Sequence, residues 1–342
     1  MKQSHLSRAA LLAATLVVST VASAQSNVTI YGVADAYVQI GSGGAGTRKS
    51  LESGGIQGSR LGFKGSEDLG DGFRAFFQVE NGFALDTGTV TQGGRFFGRQ
   101  ALVGLSGNWG SFSAGRQYTP LFNAIDSADP FGTGLGSVNS SGIMTNLGGS
   151  RVDNSLVYST PDLAGFSLTL LAAAGEGVTG KSFGADVRYT APKYMAALSV
   201  ARLDRLALGT VDGTAVLLSG MYDFGIFKLM GAAQSVKHVD LLPANDDREE
   251  YYLGVRVPVG SGVFSAVYGA GKTKNVSGTS ASEVSVGYDY ALSKRTFLYV
   301  IGSDIRNGAL TAFTADGATG SGPTTVTGHD VRAMQVGMRH RF

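Results

Sequence analysis

Residues 251–271 read YYLGVRVPVGSGVFSAVYGAG, and the two halves of this stretch decide how the chain folds. In the first half Tyr251, Leu253, Val255 and Val257 alternate with Tyr252, Gly254 and Arg256. In the second, Phe264, Ala266, Tyr268 and Ala270 alternate with Ser265, Val267, Gly269 and Gly271. Period-two alternation marks a strand with two unlike faces, whereas a helix would space its apolar residues three and four apart. Ser261-Gly262 between the halves supplies a turn. The unit is a hairpin.

The unit recurs along the chain. Short breaks rich in turn formers are each followed by an aromatic: Asp71-Gly72 before Phe73, Asn108-Trp109-Gly110 before Phe112, and Ala164-Gly165 before Phe166. Pro192-Lys193 precedes Tyr194, Gly225 precedes Phe227, Ser261-Gly262 precedes Phe264, and Ser293-Lys294 precedes Phe297. Between them lie longer polar, glycine-rich stretches at 41–58, 117–149, 239–248 and 307–328. Seven short turns give fourteen strands, and the segments before the first and after the last bring the total to sixteen. The last segment sets Val336, Met338 and Phe342 against Gln335, Gly337, Arg339 and Arg341.

Short turns at one end, long loops at the other and aromatics at the interface describe an all-β, 16-stranded antiparallel transmembrane barrel. Such a sheet must close, because an unpaired strand edge in hydrocarbon leaves backbone groups unsatisfied. At sixteen strands side chains cannot fill the interior, so an aqueous channel remains.

Composition agrees. Glycine supplies 51 of 342 residues, roughly twice its usual share of about 7%, which argues against helices. Charged residues are 16% against an average of about 25%, too few to cover a soluble chain of this size. Lys2 and Arg8, the apolar run Ala9–Ala22 and the small-x-small site Ala22-Ser23-Ala24 read as a secretory signal over 1–24, with the barrel over 25–342. Losing Lys2 and Arg8 takes the 28 basic residues to 26, equal to the 26 acidic ones, which gives no support for nucleic-acid binding. Without cysteine there is no disulfide and no thiolate metal or redox site.

Several stretches resemble the general, non-specific porins of Gram-negative outer membranes, the beta-proteobacterial group above all. They are SRLGFKGSEDLGDGFRAFFQVE at 59–80, GRQALVGLSGNWGSFSAGRQ at 98–117, DNSLVYSTPDLAGFSLTLL at 153–171 and the ending VGMRHRF. The resemblance covers the whole mature chain in order and spacing. It implies a homotrimer of outer-membrane barrels that passes small hydrophilic solutes by diffusion, with a third external loop folded inward. It also implies lipopolysaccharide and membrane lipid as neighbours, and barrel-insertion machinery that reads Phe342 as an assembly signal. No cofactor and no catalysis are expected.

The longest connection, 117–149, carries Asp126, Asp129 and the turn Pro130-Phe131-Gly132. A loop this long with no period of its own is usually functional. The resemblance places Arg60, Arg99 and Arg151 on the wall opposite. Acids on the loop facing arginines on the wall make a transverse field that, with pore width, sets which ions pass. The expected constriction is therefore Arg60, Arg99, Arg151, Asp126 and Asp129, with a mild preference for anions. In the enteric members of the family the loop acid follows the proline of the tight turn; here Asp129 precedes Pro130. Asp153 is expected to be a lumen charge that shares a strand face with Arg151 and pairs with or orients its guanidinium. Lys64 and Arg74, alternating against Phe63, Phe73 and Phe77, are expected in the lumen with Arg116, where they either select ions or keep the channel wet.

Three motifs compete with this reading. Residues 175–182, GEGVTGKS, match the phosphate-binding loop pattern, but that loop needs a following helix, and FGADVRY alternates as a strand. Gly180, Ser182 and Gly184 mimic a hydrolase elbow, yet a mature chain with only His238, His329 and His340 offers no evident triad. Asp240, Asp246, Asp247, Glu249 and Glu250 are either a divalent-cation site that bridges to lipopolysaccharide phosphates or a solvated loop partly offset by Arg248. A lipid-modifying barrel enzyme and a structural barrel or adhesin remain the alternatives to a channel.

Overall fold

The computed structural model describes residues 27–176, 180–204, 213–237 and 247–342. The signal stretch 1–24 lies outside them. Among the described residues seventeen strand segments follow one another: β1 (Asn27–Ser42), β2 (Thr47–Ser53), β3 (Arg60–Gly70), β4 (Phe73–Gly82), β5 (Gln100–Gly107), β6 (Gly110–Tyr118) and β7 (Arg151–Ser159). They continue as β8 (Phe166–Ala173), β9 (Lys181–Thr190), β10 (Tyr194–Asp204), β11 (Gly213–Asp223) and β12 (Lys228–Lys237). The last are β13 (Arg248–Val259), β14 (Gly262–Thr273), β15 (Ala281–Ala291), β16 (Thr296–Asn307) and β17 (Val331–Arg341). One helix, α1 (Pro120–Ala128), lies between β6 and β7.

Apart from β2 and β3, which both pair with β1 and not with each other, every segment pairs antiparallel with its sequence neighbours, and β17 returns to pair with β1 from Val33–Arg341 to Ser42–Arg332. The sheet is closed. Its staves number sixteen because β2 and β3 are two halves of one: β2 pairs with Ala36–Ser42 of β1 and β3 with Asn27–Val33. Residues 54–59 bulge out of that stave, and buried Asp35 gathers them, accepting from the amides of Gly55 (3.1 Å) and Gln57 (2.9 Å). Stretch 41–58, expected as an external loop, is therefore mostly strand. Lys49 and Leu51 share the outward face with Ile40 and Val38, and Ser50 faces Gln39 within. Polar residues on both faces hid this strand.

All seven expected turns are present, each joining the strands it was expected to join. Alternation sets the two faces: Leu198 is 49% exposed between Ala197 at 2% and Ser199 at 0%. On the outside, rings at the short-turn end run from Phe166 through Tyr189, Tyr194 and Tyr222 to Phe224 and Phe227, with neighbouring centroids 4.6–6.3 Å apart. This is an interfacial girdle.

The apolar core lies inside the barrel, between the wall and the third long loop. Thr119 caps α1 by accepting from Phe122 N at 3.2 Å, and Pro120 starts the helix, where no amide donor is needed. Its apolar face buries Leu121, Ala124 and Ile125 completely. The opposing wall is small, with Ala197, Ala201, Ala215 and Ala232 admitting the helix closely. Two wall hydroxyls serve carbonyls near the helix end: Tyr252 donates to Ile125 O (3.0 Å) and Ser219 to Ala124 O (3.2 Å). Burial of Leu121 and Ile125 contributes about 1.5–3 kcal/mol each. The loop is fixed to the wall.

Candidate functional site

A charged part of the lumen is built from strand ends and two loops. Arg60 opens β3 after the bulge, and its Nε donates to Gly58 O at 3.0 Å. Arg99 precedes β5 and is 3% exposed. It meets Glu80 at 3.3 Å and donates to the Tyr118 hydroxyl at 2.8 Å. Arg151 opens β7 and donates to the same hydroxyl, its guanidinium 4.1 Å from the Tyr118 ring centroid. Tyr118 stacks on Phe122 of α1 at 5.1 Å. One tyrosine thus orients two guanidiniums and ties them to the inward loop. Glu80 is held by Tyr31 (2.8 Å) and Gln78 (3.3 Å).

A cavity of about 850 Å³ is lined by Arg60, Arg99 and Arg151 on the wall and by Asp126 on the loop. Asp126 is exposed, and its carboxylate accepts from Thr133 Oγ1 at 2.8 Å. The structure brings these four together.

Asp129 does not join them. It is 3% exposed and accepts from the amides of Phe131 (2.8 Å) and Thr133 (3.3 Å) and from the Ser137 hydroxyl. Burial pushes its carboxyl up to about 6. It organises the tight turn at Pro130 from within, so its place in the constriction is corrected.

Asp153 and Arg116 also depart from expectation. Asp153 pairs with Arg95 (2.8 Å) and Arg116 (2.6 Å), not with Arg151. Between Val152 and Ser155 the β7 strand carries one more residue than its partner, and Asn154 takes φ +54°. That bulge breaks the alternation on which the pairing with Arg151 rested. Arg116 stands opposite Ala101, on the face of Val103 and Leu105, which point outward. Lys64 and Arg74 lie on the inward face with Tyr31, Gln78 and Glu80, as alternation requires. Lys64 Nζ sits 5.2 Å from the Tyr31 ring centroid, and Arg74 stands opposite Asp68 beside the first short turn, away from the cavity.

Sequence reasoning missed the contribution of residues 308–330. This loop also folds inward and is pinned to the bulge by Ala318 N to Gly55 O (2.9 Å) and Thr319 N to Gly54 O (3.0 Å). Ser321 O accepts from Gln39 Nε2 at 2.7 Å. Asp316 of this loop lines the cavity, so the charges there are three positive and two negative, with Asp316 in the place expected for Asp129. Burial raises the Asp316 carboxyl above its ordinary value. Glu80, a second unforeseen acid, stands behind Arg99.

The competing motifs do not assemble. Lys181–Thr190 is strand β9, where a phosphate loop or hydrolase elbow needs a helix; residues 177–179 lie outside the described ones. The acidic cluster is split. Glu250 points inward and accepts from Thr145 N at 2.7 Å, Glu249 pairs outward with Lys274 at 2.9 Å, and Asp240, Asp246 and His238 fall outside the described residues. Among the described residues no group of three or more His, Cys, Asp or Glu could hold a metal.

A family model described as Gram-negative porin matches residues 9–310. An outer membrane porin protein of Bordetella pertussis is 32% identical over 97% of this chain and 99% of its own length. Outer membrane porin protein 32 of Delftia acidovorans is 32% identical over 96% and 98%. The solved anion-selective porin from Comamonas acidovorans superposes with TM-score 0.84 at 29% identity, over 93% of this chain and all of that one. A trimeric OmpT of Vibrio cholerae shares the fold at TM-score 0.70 and 14% identity. With a closed sixteen-stave sheet around a charged aqueous cavity, these matches settle the class: the chain belongs to the Gram-negative porin family, a passive channel of the outer membrane.

Proposed function

We propose that the channel passes small hydrophilic solutes with a mild preference for anions, selected at Arg60, Arg99 and Arg151 against Asp126 and Asp316. The observation that carries this reading is the clustering of three guanidiniums on one side of the cavity, with only two carboxylates lining the rest. Anions passing the wall meet a preorganised positive surface, and cations meet the loop acids. The Comamonas acidovorans porin, 29% identical, is described as anion-selective, which supports the sign. Lys64 and Arg74 act as inward charges that keep the periplasmic mouth wet. Arg116 and Asp153 serve the outer strand face and are not part of the filter. The zero-current potential across a planar bilayer in a potassium chloride gradient tests the proposal: a potential of cation-selective sign overturns it.

The channel assembles as a homotrimer after removal of residues 1–24. Support comes from the family and from a fold neighbour described as a trimer. Unheated detergent extracts should run near three times the monomer mass and collapse to one band on heating, and a monomer by light scattering would overturn this. Phe342 is the segment recognised during insertion, and lipopolysaccharide surrounds the extracellular half of the barrel.

A further inference from the structure

A second hollow inside the barrel, of about 380 Å³, lies between α1 and the wall strands β8 and β9. It is lined by Ser167, Thr169, Asp186 and Arg188 on the wall and by Asn123 and Asp126 on the helix. The register explains the wall: Thr169 stands opposite Asp186 and Ser167 opposite Arg188, so alternation turns all four inward. Pro120 closes one end by packing on Gly184, where a Cβ would lie 3.1 Å from Pro120 Cδ. From there the hollow runs toward Arg188, near the short-turn end of β9. Asn123 and Asp126 also line the arginine cavity, so the two spaces adjoin at the helix.

The fold leaves polar groups of this hollow unused. Asp186 is 5% exposed, yet its Oδ2 has no hydrogen-bond partner among the described residues, and neither has Arg188 Nε. Arg188 Nε lies 3.4 Å from Asp186 Oδ1, out of line for a hydrogen bond, and Arg188 Nη2 reaches Asn123 O at 3.4 Å. A buried acceptor and a buried donor left unpaired are unfavourable, and a molecule that supplies both missing partners relieves the deficit. The charge pattern says which molecule. Two carboxylates flank one guanidinium here, against three guanidiniums and two carboxylates in the arginine cavity. A simple anion is repelled by Asp126 and Asp186, and a simple cation by Arg188 and by the three arginines next door. A zwitterion meets both signs.

We propose that this hollow is a binding subsite for a small zwitterion of the α-amino acid class, its ammonium against Asp186 and its carboxylate on Arg188. Ser167 and Thr169 face a side-chain hydroxyl. Size supports this occupant, since the hollow falls among ordinary ligand sites of about 300–1,000 Å³. So does reach: the two charges of an α-amino acid sit on one carbon, and Asp186 and Arg188 are neighbours on one strand face. Binding is weak and reversible, as passage through a channel requires. The proposal rests on the channel reading, but Asp186 and Arg188 lie outside the arginine cavity.

The test is planar-bilayer recording of the full porin in potassium chloride, titrated with L-serine, with ethanolamine, which lacks the carboxylate, or with 3-hydroxypropanoate, which lacks the ammonium. A solute that dwells beside the lumen lowers the ion current and adds noise to it. Wild-type channels should be half-saturated by serine at a concentration at least fivefold below that of either analogue. Asp186→Asn and Arg188→Gln should each raise the serine value at least fivefold, and so should Ser167→Phe, which fills the hollow without touching charge. Conductance in potassium chloride alone, read on the same channels, reports the pore itself, which separates failure of this subsite from failure of the channel. Equal half-saturation by the three solutes, or a serine preference undiminished in all three variants, overturns the proposal. Ethanolamine as effective as serine also overturns it, since the hollow would then be a plain cation site.

Discussion

Neutralising Arg60 and Arg151 together should convert the channel from anion- to cation-preferring without unfolding it. Both line the cavity, and the double change Arg60→Gln, Arg151→Gln leaves one positive charge against two negative there. A monovalent ion about 6 Å from one guanidinium gains or loses about 0.7 kcal/mol in water. Screening at 0.1 M ionic strength, where the Debye length is about 10 Å, cuts this roughly in half. Anions gain what cations lose, so each charge changes the permeability ratio about 3–4-fold, and two change it about tenfold. Arg99 is left in place because Glu80, buried beside it, would lose its partner. The assay is the zero-current potential of reconstituted channels in a tenfold salt gradient. The shift should shrink as both solutions are raised toward 1 M. A ratio that moves less than twofold at low salt would refute the placement of these arginines at the constriction, and a shift independent of salt would refute the electrostatic cause.

The Arg99 pair carries its own prediction. Arg99→Gln should cost about 3–5 kcal/mol by stranding a buried carboxylate, read as a lower thermal midpoint in detergent, and adding Glu80→Gln should recover most of it. A single variant as stable as the parent would contradict burial of the pair. For Asp129, the folded carboxyl titrates near 6 against an ordinary 3.8, so the folded loop binds the proton more tightly than the unfolded chain. Its stabilisation is full below about pH 4, declines as pH rises through 6 and is lost above. Hydrogen-exchange protection of the Phe131 and Thr133 amides should fall across that window, and Asp129→Asn should flatten the trend; protection that rises with pH would show the sign to be wrong. Phe342 closes the barrel by exchanging backbone hydrogen bonds with Gly32 at 3.0 and 3.1 Å, and a Cβ at Gly32 would lie 2.2 Å from its ring. Deleting Phe342, or Gly32→Leu, should lower outer-membrane yield while leaving the conductance of inserted channels unchanged; equal surface levels would sink this.

The barrel was legible in the sequence because its determinants are local. Alternation along 251–271 depends only on which side chains face lipid, and Ser261-Gly262 specifies a turn within a few residues. The seven turns and the sixteen staves follow from repeating that reasoning, as do the inward faces of Lys64 and Arg74. Alternation failed wherever one residue more or less entered a strand. The extra residue near Asn154 sent Asp153 to Arg95 and Arg116, and no composition signal marks it. The polar faces of 47–53 read as loop because neither side of that half-stave is wholly apolar. Long loops were less legible still, since they have no period. Whether an acid on such a loop reaches the lumen depends on its packing against distant strands: Asp129 turned into its own loop, Asp316 came in from a segment 187 residues further on, and Glu80 slipped behind Arg99. The sequence determined the closed sheet through nearest-neighbour chemistry. Only the tertiary structure decided which charges meet across the water, because contacts between segments far apart in the chain leave no local pattern.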